Sequence, residues 1–309
     1  MDKTDKKSDK ASDEYIIDLT KIISILLKNK LKLIGLTSIG AIASIFIALN
    51  LTIIFTSSAL VVPNDKDASN SSLASQFGGL ASIAGLDTEV SQVSKKTIAK
   101  ARIGSLDFFK KHLYPNILHD LVAAQSWDPE NNNIIYDESL YNPETKEWLM
   151  DKPSPQQAYR SFGGSLDVVE NKLTGIITIS IEHISPVTAK HWVDLIIKEI
   201  NNSLKEIDKQ EAILALSFYE AELSKTSIQS VKQMVSALME EQQKKLMLSN
   251  VLDEYVLKVI EPAVVPERRT RPSRAKFCVI FTLIAGLVSI ILVLIQDFLI
   301  RNKESLMDY

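Results

Sequence analysis

The sequence predicts an α+β protein with two membrane spans, an α/β base domain between them and a long protruding α-helical hairpin. Three observations carry this prediction. Residues 33–62 and 277–296 contain no charged side chain, and each run reaches the ~20 residues that a helix needs to cross a ~30 Å hydrocarbon core. Residues 165–169 and 176–181 read as two strands, and in the second Ile177, Ile179 and Ile181 alternate with Thr178, Ser180 and Glu182, the period of a strand with one buried face. From residue 187 to residue 261 there is neither glycine nor proline, so nothing local interrupts long helices there.

Composition narrows the function classes. The 309 residues suffice for one domain of ordinary size plus two anchors. A net charge of −3 gives no bulk basic character, so nucleic acid is not an expected partner. Cys278, the single cysteine, falls inside the second apolar run. No intramolecular disulfide is possible, and a thiol-free middle domain fits a bacterial periplasm. The first run is far longer than the roughly 7–15-residue apolar core of a cleavable signal, so cleavage is not expected. Two spans place both chain ends on one side of the membrane. Lys21, Lys28, Lys30 and Lys32 before the first span and Arg301 and Lys303 after the second favour cytoplasmic ends. Arg268, Arg269, Arg271, Arg274 and Lys276 crowd the other end of the second span, but long domains cross largely regardless of charge. The middle domain is therefore expected outside the cytoplasm.

The elements follow in order. Residues 1–30 form an N-terminal segment. Its first 13 positions are rich in Lys, Asp and Ser and are expected to be disordered. In residues 15–27, Ile16, Leu19, Ile22, Ile23, Leu26 and Leu27 recur at helical spacing, which suits a helix lying on the membrane surface or a simple extension of the first span. The first span is placed at 31–56, with Gly40, Ser44 and Ala48 at every fourth position. The second is placed at 276–298, with Thr282 and Gly286. Small residues at such spacing let helices approach closely in lipid.

Residues 57–186 form the first part of the base. Within it, 69–85 reads as a small-residue-rich loop. Residues 91–113 read as an amphipathic helix turning Ile98, Ala101, Leu106, Phe109 and Leu113 to a core. Residues 119–155, with Trp127 and Trp148, read as an irregular insertion, and 155–162 as a short helix. Asn171 and Gly175 mark the turn between the two strands. Ser185 suits a helix N-cap, and Pro186 suits the first helical position.

Residues 187–252 are expected to form the hairpin. Val193, Ile196, Ile200, Leu204, Ile207, Leu214, Phe218, Ile228, Val235 and Leu238 make an apolar stripe with a mean spacing of about 3.5 residues, the pattern of coiled-coil-like packing. This stripe is the expected oligomerisation surface. A strand at 255–260 must return to the sheet, so the helical run has to reverse, and the polar residues 224–227 are the expected bend. Residues 253–275 complete the base and form a membrane-proximal foot. Pro262, Pro266 and Pro272 there favour a stiff connector. Arg268, Arg269 and Arg271 suit anionic headgroups, an anionic polymer or a lipid-linked pyrophosphate. Residues 299–309 form a cytoplasmic tail.

No catalytic or metal motif emerges. Gly35 and Gly40 have phosphate-loop spacing, but Ala41 and Ile42 stand where Lys and Ser or Thr are needed. The pairs His112/His119 and His183/His191 lack zinc-motif spacing, and no nucleophile elbow is present. Glu240 and Glu241, adjacent on a helix, point about 100° apart and cannot share a site. No enzyme activity, cofactor or metal is expected.

The order of these parts resembles one family. The stretches DEYIIDLTKI (13–22), LASQFGGLASIAGL (73–86), SPQQAYRSFGGSLDVVENKLTGIITISIEHISPVTAKHWVDLII (154–197), SFYEAELSKTS (217–227) and LMEEQQKKLMLSNVLDEYVLKVIEPAVVPERRTRPSR (238–274) resemble the bacterial polysaccharide chain-length determinants, the Wzz-type polysaccharide co-polymerases. The last stretch is the most specific. The resemblance runs over nearly the whole chain and implies a two-span inner-membrane protein with a periplasmic α/β base domain and a long protruding α-helical hairpin. It implies a homo-oligomer ring that works with a Wzy-type polymerase and lipid-linked polysaccharide to set O-antigen modal length in lipopolysaccharide biosynthesis. The alternative within the family is a chain-length or export role for capsule, exopolysaccharide or enterobacterial common antigen. Some relatives carry a tyrosine autokinase after the second span. Residues 301–309 hold no phosphate loop, so the non-kinase class is expected, with a separate kinase partner left open. The same short tail speaks against a two-span sensor. A polysaccharide-processing enzyme would need a site that no motif reveals.

Overall fold

The computed structural model describes residues 19–64 and 94–307. The small-residue-rich loop expected at 69–85 and the first turn of the helix expected at 15–27 lie outside the described residues. The chain divides into two units, Met1–Leu51 with Arg271–Tyr309, and Thr52–Thr270.

The first unit holds α1 (Leu19–Lys28), α2 (Lys30–Asn50) and the last helix, Arg274–Met307. Two of its segments, Lys30–Asn50 and Arg274–Ile300, are long and apolar enough to cross a membrane. These two helices pack on each other through small side chains. A Cβ added at Gly40 would collide with the Cβ of Ala285, so only glycine permits this approach. Ser44, Ala48, Ser289 and Val293 are buried along the same contact, whereas Ile39, Ile42, Phe46, Leu283 and Leu287 face outward.

The uncharged run 33–62 is not one element. The helix ends at Asn50, and Phe55–Pro63 is a strand, β1. The span expected to reach residue 56 therefore stops short of it. Beyond Asn50 the apolar pattern changes period: Phe55, Ser57, Ala59 and Val61 are buried while the residues between them are not. Alternation of that kind, in a stretch rich in β-branched residues, belongs to a half-buried strand.

In the second unit β1 is an inner strand of a four-stranded antiparallel sheet, ordered β6-β7-β1-β8. β7 (Ile177–His183) and β8 (Leu257–Glu261) flank it, and β6 (Leu166–Glu170) pairs with the other edge of β7. The expected turn joins β6 to β7. Gly175 takes φ +71° there and its N–H donates to the Asn171 carbonyl at 2.8 Å. In β7 every second residue from Ile177 to His183 is buried, and Ala59 of β1 lies opposite Ile179.

Helices cover the sheet's inner face. α3 (Lys95–Ile103) and α4 (Leu106–Phe108) are capped by Ser94 and Ser105. A π-helical turn (Phe109–Leu113) and α5 (Tyr114–Val122) follow directly. The single helix expected at 91–113 is thus broken at Gly104–Ser105. The break shifts the buried phase: Ala99, Ile103, Phe108, Phe109 and Leu113 enter the core, whereas Ile98 and Ala101 stay exposed. The insertion is more regular than expected, with two small antiparallel sheets, β2 (Ala124–Asp128) with β3 (Asn133–Tyr136) and β4 (Tyr141–Asn142) with β5 (Glu147–Trp148). α6 (Pro155–Ser165) begins with a capping box formed by Ser154 and Gln157.

α7 (Pro186–Lys225) starts at the Ser185 cap and Pro186, and α8 (Gln229–Val251) runs back beside it. The reversal falls at 226–228, within a residue of the expected bend. At 1.5 Å per residue α7 extends ~60 Å and α8 ~35 Å.

Candidate functional site

The hairpin is built from two different halves. On the first half of α7, Val193, Ile196, Ile200 and Leu204 are buried with Trp192 against the sheet, and Ile207 packs at the margin of the same core. These five residues were expected on an oligomerisation surface. The structure commits them to the core of their own chain, because a helix that roofs a sheet must present its apolar stripe to that sheet. The second half differs. The buried positions of α7 end at Ala212, and Leu214, Phe218 and Ile228 are 69%, 64% and 61% exposed. Val235 is buried on α8, and Leu238 is half-buried. One stripe in sequence therefore meets two environments in space.

At the root of the hairpin Asn201 joins helix to sheet. This buried side chain donates from Nδ2 to the carbonyls of Ile197 and Leu257, both at 3.0 Å. Its Oδ1 accepts from the backbone N–H groups of Val256 and Leu257 at 2.8 and 2.9 Å. The returning chain is thereby held at the entry to β8. Nothing in the hydrophobic periodicity marks Asn201. The one signal for it is a polar residue where the stripe places it beside Ile197 and Ile200.

Beside it lies a charged cluster. Asp208 pairs with Lys95 at 2.8 Å and with Lys245 at 3.4 Å, and accepts a hydrogen bond from the Tyr255 hydroxyl at 2.6 Å. Burial alone would raise the Asp208 carboxyl, but the bonds from Lys95 and Tyr255 outweigh it and hold the group below the usual aspartate range. The same burial and the adjacent carboxylate push the Tyr255 hydroxyl up, so it stays protonated as a donor. Lys245 also reaches Glu211 at 3.1 Å, linking α8 to α7. Across the sheet, Lys100 and Lys96 bracket Glu170 at 2.6 and 2.8 Å, and their hydrogen bonds lower its carboxyl to about 2.

The histidines do not converge. His112 Nδ1 meets Glu199 at 3.0 Å, while His119 stacks on Tyr141. His183 is buried against Trp192, its Nδ1 accepting from the Ser185 N–H while Nε2 faces the Asp120 carbonyl. Burial holds it below the usual histidine range. Among the described residues no group of three or more His, Cys, Asp or Glu could hold a metal. A surface cleft of about 270 Å³ beside the hairpin root is lined by Asp194, Lys198, Asp253 and Glu254 among others. Its acidic and basic groups show no nucleophile paired with a base.

The foot lies against the sheet instead of standing free. Ala263 is buried, Ser57 Oγ donates to the Val264 carbonyl at 2.7 Å, and the Thr270 N–H donates to the Ile54 carbonyl at 2.8 Å. Pro262 and Pro266 lack the N–H that would extend the β8 ladder, so pairing gives way to these isolated bonds. Arg268, Arg269 and Arg271 are exposed, and Pro272 follows them. In the first unit, Gly40, Ser44 and Ala48 lie at the helix contact, and a Cβ at Gly286 would come within 3.3 Å of Thr37. Thr282 donates to the Cys278 carbonyl of its own helix at 2.7 Å.

Residues 16–103 match the family model of the chain length determinant protein, Wzz. No curated protein matches the sequence. Among solved structures, a full-length bacterial polysaccharide co-polymerase is 14% identical over 93% of this chain and 98% of its own, with a TM-score of 0.40. A fragment of WzzB, a polysaccharide co-polymerase from Salmonella Typhimurium, is 16% identical over 71% of this chain and 100% of its own, with a TM-score of 0.28.

Proposed function

We propose that this protein regulates polysaccharide chain length without catalysing a bond change, setting O-antigen modal length in lipopolysaccharide biosynthesis. The observation that carries the reading is the chain-length-determinant match over residues 16–103, which takes in the first membrane-capable helix and strand β1. In this reading the two apolar helices cross the bacterial inner membrane, and the sheet and hairpin lie in the periplasm. Copies of the chain assemble in a ring, and a Wzy-type polymerase and its lipid-linked glycan are the partners.

The hairpin supplies the mechanism. Its root is tied to the sheet by Asn201 and the Asp208 cluster, so the distal half is presented in a defined direction. The exposed side chains of Leu214, Phe218 and Ile228 are the apolar surface with which neighbouring hairpins pack, since exposed apolar patches mark interaction sites. A ring then repeats one surface toward polymerase or glycan.

The test is a gel of surface polysaccharide from cells with the gene deleted and then restored. Loss of a modal band cluster, with polymer still made at scattered lengths, supports the proposal. Complete loss of polymer points to the export-linked alternative for capsule, exopolysaccharide or enterobacterial common antigen. An unchanged pattern overturns both.

A further inference from the structure

Short tethers join the second unit to the membrane-capable helices. Residues 51–54 lead from α2 into β1, and residues 271–273 lead into the last helix. Even from Leu51 to Phe55, fully extended chain reaches at most ~14 Å. The 21 residues of α2 rise ~31 Å, the thickness of a hydrocarbon core. If α2 spans, as proposed above, Leu51 stands where the headgroup zone begins, and Phe55 is held close to that zone. The Thr270–Ile54 hydrogen bond brings the second tether to the same end of the sheet.

That end carries the side chains that membrane surfaces select. Trp127, distant in sequence from both tethers, meets Phe55 edge-on with ring centroids 5.3 Å apart. Its indole N–H is satisfied by Asn132 Oδ1 at 3.2 Å, and the ring is only half-buried. Arg268 and Arg269 are exposed just before Thr270. An indole with its polar edge satisfied and its ring partly open suits the lipid–water interface. Arginines there attract anionic headgroups. The acidic neighbours are Glu267 before the arginines, Glu182 opposite Thr56 on β7, and Asp128 and Glu130 after Trp127. Attraction to anionic lipid therefore belongs to the arginine side and not to the indole side.

We infer that the β2–β3 hairpin is a third membrane contact of this chain, with Trp127 anchored in the lipid–water interface and Arg268 and Arg269 on anionic phospholipid headgroups. Such a contact adds to the two tethers a restraint on the direction of the helical hairpin.

The experiment uses full-length protein in nanodiscs of phosphatidylcholine and phosphatidylglycerol, with and without lipids brominated near the headgroup. Wild type is compared with Trp127→Phe. Trp148 and Trp192 are present in both proteins, so the difference isolates Trp127. The expected result is a Trp127 component quenched at least twofold by bromolipid and little by aqueous iodide. That quenching falls in Arg268→Gln/Arg269→Gln and when phosphatidylglycerol is omitted. A Trp127 component open to iodide and indifferent to bromolipid overturns the inference and leaves the spanning helices standing. Lipid quenching that ignores both phosphatidylglycerol and the arginine substitutions overturns the arginine half. Failure of the wild type to enter nanodiscs overturns the spanning reading and the inference together.

Discussion

At the residue scale, three residues carry consequences out of proportion to their visibility. Asn201 satisfies two backbone N–H groups at the entry to β8. Asn201→Leu leaves both donors buried without a partner, at roughly 1–3 kcal/mol each. We expect thermal unfolding in detergent to show a loss of about 2–6 kcal/mol, and a loss under about 1 kcal/mol would contradict this role. His183 sets an acid limit. Burial lowers its pKa in the folded chain, so the folded state resists protonation that the unfolded chain accepts at about 6.5. Its contribution is complete above that pH and is lost as pH falls from there toward the lowered native value, by up to ~1.4 kcal/mol per pH unit. His183→Gln, which keeps one acceptor and one donor, should flatten the stability profile in that window. The slope from Glu170 and Asp208 sits lower, below about pH 4.5, and should survive the substitution. Gly40 offers a third test. Gly40→Val drives a side chain into Ala285, costing about 1–3 kcal/mol by overpacking. Gly35→Ala, with no atom within 4 Å of the new Cβ, should leave the melting temperature unchanged.

At the element scale, periodicity identified most elements but not which face met what. Strand β7, its turn at Gly175 and the Ser185–Pro186 start of α7 were legible because each depends on neighbours close in sequence. Strand β1 was not, because an uncharged run leaving a membrane helix looks the same whether it continues as helix or turns into strand. Only the change from period 3.6 to period 2 after Asn50 separates them. The phase error at Ile98 and Ala101 has a related cause: the caps at Ser94 and Ser105 divide one apparent helix into two. The hairpin illustrates the limit most directly. Leu214→Glu or Phe218→Glu should change stability by no more than about 0.5 kcal/mol, since both side chains are exposed. Both should nonetheless reduce oligomer size and broaden the glycan length distribution. Ile200→Glu, on the same stripe, should abolish folding by burying a charge in the core. Light scattering and a melt on the three variants decide the matter.

At the scale of the whole molecule, the division between core-forming and surface-forming halves of the hairpin predicts where the chain tolerates excision. Lys245 faces Glu211 across the two helices, so removing residues 214–242 and closing the gap with a short glycine-rich loop should leave a cooperative melt. Loss of modal length control in that variant would assign the regulatory surface to the distal half. Excision of the full 187–252 segment removes the roof of the sheet and should leave no folded base.

The sequence by itself determined the two membrane-capable helices among the described residues, the α+β class, the reversal near residue 226 and the family resemblance. The helices and the class rest on composition and on periods that repeat within a dozen residues, the reversal on the need to return a strand to the sheet, and the resemblance on the order of the quoted stretches. The tertiary structure alone decided that β1 lies inside the sheet, that Val193 to Leu204 face the core of their own chain, that Asn201 holds β8 and that Trp127 meets Phe55. Each of those joins residues far apart along the chain. Local periodicity states that a face is apolar, and only the packing of the sheet, helices and foot determines which surface covers it.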